Sequence, residues 1–88
     1  MNHYKPILKK YLTDFTLNLR DKLNITQKQM SELLHITPRA YHYLESGTNS
    51  FSASSLMLLL SLLSDEERRA FFRDFQKVLR EEAESKNA

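Results

Sequence analysis

His3, His35 and His42 are the side chains best suited to hold a metal ion, yet no two stand at a ligand spacing such as His-x-x-x-His. No carboxylate is placed to complete such a site, so neither a metal nor any other cofactor is expected. With no cysteine in the chain, thiolate sites and disulfides are both excluded, which fits a reducing compartment. Gly47 is the one glycine and is needed to end a helix, so a glycine-rich phosphate cradle is ruled out. No Ser, His and Asp set suggests nucleophilic catalysis, and Glu81, Glu82 and Glu84 read as a solvated helix tail rather than paired acids. An enzyme is not expected. What remains is chemistry of binding.

The charge is unevenly placed. Up to Leu44 there are seven Lys or Arg against three acids, a net of +4, while the rest of the chain carries six against eight, a net of −2. A basic front half suits a molecule with one side turned to a polyanion, although solvated helix faces give similar counts. At 88 residues the chain makes one domain, residues 1–88, with one modest core. The longest apolar stretch, Leu56 to Leu63, is broken by Ser61 and is far shorter than the roughly 20 residues of a membrane span. Lys9 and Lys10 follow Ile7 and Leu8 with no apolar run behind them, unlike a signal peptide. A cytoplasmic protein is expected, with no membrane partner.

The elements that must position any binding surface are helical. Two prolines, one glycine and apolar residues at helical spacing almost throughout imply an all-α domain. The first stripe, Leu8, Leu12, Phe15, Leu19 and Leu23, predicts a helix over 6–23, with Pro6 in its first turn and Asn24 as a left-handed stop. Three later starts pair a hydroxyl cap with flanking apolar residues that clasp across it. Thr26 forms a capping box with Gln29, between Ile25 and Met30; Thr37 precedes Pro38, between Ile36 and Tyr41; Ser52 lies between Phe51 and Leu56. At Ser64, Asp65, Glu66 and Glu67 favour the helix dipole and Glu67 completes a second box. The remaining helices are thus predicted at 27–34, 38–46, 53–63 and 65–84.

Only His35, Ile36 and Thr37 separate the second helix from the third, the connection a helix-turn-helix requires. In such a pair the second helix is the one offered to DNA. Tyr41 and Leu44 would face inward, with Arg39, His42 and Tyr43 outward.

Over about residues 15–63 the chain resembles the Cro and lambda-repressor type of helix-turn-helix, the XRE family. The matching residues, in order and spacing, are Leu19-Arg20, Ile25-Thr26-Gln27, Met30, Leu34, Ile36-Thr37, Leu44-Glu45-Ser46-Gly47 and Leu56. The resemblance implies a lambda-repressor-like domain, here of five helices with the C-terminal one (65–84) extended beyond the matching span, and a bacterial or phage transcriptional regulator. It places Gln27, beside Lys28, at the start of the second helix against a phosphate. It makes Arg39 the principal base reader, since a guanidinium can bond guanine O6 and N7 together. Thr37, Pro38, Ala40, His42 and Tyr43 would complete the reading surface. Thr48, Asn49 and Ser50 would lie along the phosphate backbone as neutral donors. Arg20 and Glu45 would pair internally, between the first and third helices.

This chain departs from the family at three places: His35 stands where Gly is usual in the turn, Tyr41 where Ile or Val is usual, and Phe51 where Pro is usual. Arg39 alone brings a formal charge to the outer face of the third helix, leaving a few base pairs or DNA shape to supply further selectivity. A repressor is expected, because nothing beyond the DNA-binding unit is present to recruit polymerase. The last helix, with Phe71, Phe72, Phe75, Val78 and Leu79, is longer than a small core needs, so a homodimer on a palindromic operator of double-stranded DNA is expected. The other reading is a protein-interaction module, an antitoxin or assembly factor that binds its partner through this helix.

Overall fold

The computed structural model describes residues 4–87, with side chains from 4 to 85. His3, weighed above for metal binding, lies outside the described residues. Within them the chain is all-α, in five helices: α1 Tyr4–Leu23, α2 Gln27–Leu33, α3 Pro38–Glu45, α4 Ala53–Ser61 and α5 Asp65–Asn87. None of these helices is long and apolar enough to cross a membrane.

The last four helices begin where hydroxyl caps dictate. Thr26 and Gln29 bond reciprocally in a complete capping box. Thr37 Oγ1 accepts from the Ala40 N–H, and Ser52 Oγ from that of Ser55. Ser64 Oγ accepts from the Glu67 N–H while Glu67 Oε1 accepts from that of Ser64. Each bond satisfies a donor that the first turn would otherwise leave unpaired.

Three helices also end alike. Asn24, His35 and Gly47 adopt φ of +56°, +57° and +78°, and the next N–H turns back to a carbonyl five residues earlier, Ile25 to Arg20, Ile36 to Ser31 and Thr48 to Tyr43. His35 therefore does the work of the more usual glycine. At α4 the stop is assisted from a distance: Arg68 Nη1 donates to the Leu60 and Leu63 carbonyls at 3.0 and 2.6 Å. A cation there meets the negative end of the helix dipole.

The core gathers Leu12, Leu19, Met30, Leu34, Tyr41, Leu59, Leu63 and Phe71, with Ile25, Ile36 and Phe51 packed around it. Thr16 and Ser31 are buried too, but their hydroxyls donate to the carbonyls of Leu12 and Lys28, which removes the cost of burying them unpaired. α5 returns along α1 in the opposite direction: Lys22 meets Glu67, Phe15 meets Phe71, and Tyr11 meets Phe71 and Phe75. The Tyr11 hydroxyl fixes that register by donating to the Phe71 carbonyl at 2.7 Å.

This packing corrects one expectation. Phe71, assigned above to a dimer interface, is buried in its own chain between the rings of Tyr11 and Phe15 and has little area left for a partner. Its neighbour Phe72 is half exposed, and Phe75, Val78 and Leu79 are half-buried.

Candidate nucleic-acid interface

The position of α3 is set by one carboxylate. Arg20 on α1 donates to Glu45 at two points, Nε to Oε2 at 2.7 Å and Nη2 to Oε1 at 2.9 Å, and its Nη1 holds the Ile25 carbonyl at 2.9 Å. Gln27 at the start of α2 donates to Glu45 Oε1 at 2.9 Å, and the buried Tyr41 hydroxyl donates to Oε2. Three helices thus meet on Glu45. Burial works against its charge, but the bonds from Arg20, Tyr41 and Gln27 outweigh that penalty and hold its pKa at about 2, below the ordinary 4.5. Burial and then the same carboxylate push the Tyr41 hydroxyl well above its ordinary range, so it remains a donor.

With its inner side locked, α3 turns a defined outer edge to solvent. Thr37, Pro38, Arg39 and His42 are exposed, with Ala40 and Tyr43 half-buried behind them. The Arg39 guanidinium lies over the Tyr43 ring, 5.8 Å from its centroid, and Nε donates to the Tyr43 hydroxyl at 3.3 Å. His42 lies against the other side chain of this group, 5.8 Å from Tyr43 ring to ring. A planar cation backed by an aromatic ring is steadied for two-point bonding to a base edge. Lys28 is exposed on α2.

Beyond Gly47 the exposed loop Thr48, Asn49 and Ser50 is anchored from within. The Thr48 and Asn49 N–H groups share the Tyr43 carbonyl at 3.0 and 3.1 Å, and Ser46 Oγ lies 2.9 Å from Thr48 Oγ1. Lys9 of α1 reaches the same loop, with Nζ 3.4 Å from the Thr48 carbonyl.

The structure therefore brings the positions expected to face DNA together on α3, its flanking loop and the start of α2. Gln27 differs from the sequence reading in one respect: it is half-buried and bonded to Glu45, not a free surface donor. That bond uses one of its two amide hydrogens and leaves the other for an anion. Sequence reasoning missed Tyr41 as a partner of Glu45, although their i, i+4 spacing hinted at it, and it missed Lys9 and Arg68 entirely. Among the described residues, no group of three or more His, Asp or Glu could hold a metal ion.

A family model for the helix-turn-helix matches residues 17–64, more than half of the chain. No curated protein and no solved structure matches. The matched span runs from the second half of α1 to the turn after α4, and so includes Arg20, Gln27, Tyr41 and Glu45 together with the whole outer edge of α3. The chain belongs to the XRE and lambda-repressor type of helix-turn-helix family, a family of DNA-binding regulatory domains.

Proposed function

We propose that this protein is a sequence-specific transcriptional repressor that lays α3 in the major groove of duplex DNA. The observation that carries this reading is the outer edge of α3, Thr37, Pro38, Arg39 and His42, exposed as a row while Glu45 ties the inner side to α1 and α2. Arg39 reads a base edge, Pro38 and Ala40 pack on a thymine methyl, and His42 and Tyr43 bound the contact. Gln27, Lys28 and the 48–50 loop hold phosphates and set the register. Occupying a promoter in this way blocks polymerase without any further surface, so repression is the outcome assigned. The site of action is the compartment that holds the DNA, the cytoplasm of a bacterial or phage-infected cell.

We further assign a homodimer. Half-exposed Phe72 and an open, mostly apolar groove lined by Tyr4, Lys5, Leu8, Phe75 and Leu79 are available to a two-fold partner. Two reading helices about 34 to 36 Å apart would then meet successive major grooves, and the operator would be a palindrome. Selection from a random duplex pool tests the reading: it should return two inverted half-sites. A protein that retains no duplex at low salt but co-purifies with a stable protein partner would instead favour an antitoxin or assembly factor using α5.

A further inference from the structure

The loop assigned to the phosphate backbone carries no charge of its own. From Ser46 to Ser64 there is no Lys, Arg, Asp or Glu, and the Thr48 and Asn49 N–H groups are already turned inward onto Tyr43. A neutral loop adds hydrogen bonds to DNA but releases no counterion, and counterion release supplies much of the affinity for a duplex.

A cation reaches this loop from another helix. The first three turns of α1 lie outside the family match at 17–64 and carry Lys5, Lys9 and Lys10. Lys10 is held by Asp14 at 2.7 Å. Lys9 leans the other way, to the Thr48 carbonyl, and lines shallow depressions on both sides of that contact, one with Gly47 and one with Ser50 and Phe51. Lys5, one helical turn earlier, lines the second depression as well and makes no ion pair among the described residues. An ammonium has three donors, and the Thr48 carbonyl takes one.

We infer that Lys9, supported by Lys5, is a phosphodiester-binding site: the extension of α1 lends its charge to the neutral 48–50 loop and clamps the DNA strand beside the bases that α3 reads. The inference rests on the DNA-binding reading above. Lys9 thus holds the loop through the Thr48 carbonyl and neutralises the phosphate lying along it. As a backbone contact it raises affinity for every sequence alike.

The test is fluorescence anisotropy of the full chain on its selected operator and on an unrelated duplex, across a series of KCl concentrations. Lys9→Gln should weaken both complexes equally, by about five- to tenfold near 0.1 M salt, and reduce the slope of log affinity against log salt by about 0.9. Lys9→Arg should restore both quantities, and Lys5→Gln should shift them the same way by less. A Lys9→Gln slope equal to wild type overturns the inference even if affinity falls, because a residue that only pins the loop releases no counterion. Wild type without salt-dependent duplex binding would instead remove the DNA reading itself, a result distinct from an unchanged slope.

Discussion

Arg20 and Glu45 form a two-point ion pair between α1 and the last residue of α3, with side chains only 19% and 8% exposed. Charges taken this far out of water depend on each other: removing one leaves the other desolvated and unpaired. The pair therefore both ties α3 to α1 and makes the fold sensitive to loss of either partner.

Glu45→Ala should accordingly destabilise the protein by about 3 to 5 kcal/mol, since it also strands Tyr41 and Gln27. Arg20→Met combined with Glu45→Ala should recover part of that loss. Urea denaturation of the two single variants and the double variant measures the coupling, and strictly additive losses would contradict it.

The same carboxylate sets an acid limit. Its pKa of about 2 lies below the ordinary 4.5, so its stabilisation is complete above about pH 4.5 and is lost as the pH falls toward 2. The loss is on the order of 3 kcal/mol. In urea titrations over that range, Glu45→Gln should show a clearly shallower dependence than wild type. Glu67, lowered by the Ser64 N–H and Lys22, contributes its slope to both proteins. Equal slopes would show that Glu45 is not held ionised by the fold.

Much of this frame was legible in the chain because its signals are local. Thr26, Thr37, Ser52 and Ser64 announce helix starts through residues three or four positions away, and Asn24, His35 and Gly47 announce stops through their tolerance of positive φ. Arg20 with Glu45 was legible through the family pattern. The contacts that escaped depend on how helices approach: Gln27 meets Glu45 only because the start of α2 abuts the end of α3, and Lys9 meets Thr48 across 39 positions. Adjacent Phe71 and Phe72 both fit an apolar stripe. The phase of α5 against Tyr11 and Phe15 decides which one is buried, and no local spacing encodes that phase.

Backbone strain separates two stops. At Gly47 a Cβ would meet nothing nearer than Thr13 Oγ1 at 4.0 Å, so Gly47→Ala should cost about 1 to 2 kcal/mol through its φ of +78° alone. His35→Gly should be neutral to about 1 kcal/mol stabilising, since His35 already occupies the left-handed region. Thermal melting of both variants checks this. A neutral Gly47→Ala would mean that the loop relaxes to negative φ.

The α5 rings should part in the same way. Phe71→Ala should cost about 3 to 5 kcal/mol of stability as a core truncation. Phe72→Glu should leave the helical circular dichroism intact but convert a dimer to a monomer in analytical ultracentrifugation. Wild type that sediments as a monomer at tens of micromolar, on the order of weak specific association, would contradict the dimer.

Base reading by α3 is tested most directly by Arg39→Ala on the operator selected with wild type, scanned one base pair at a time. The expected result is a loss of about 1 to 3 kcal/mol in specific binding and relaxed discrimination at one base position per half-site, with unrelated duplex bound as before. Equal affinity and an unchanged base profile in wild type and variant would contradict the placement of α3 in the major groove.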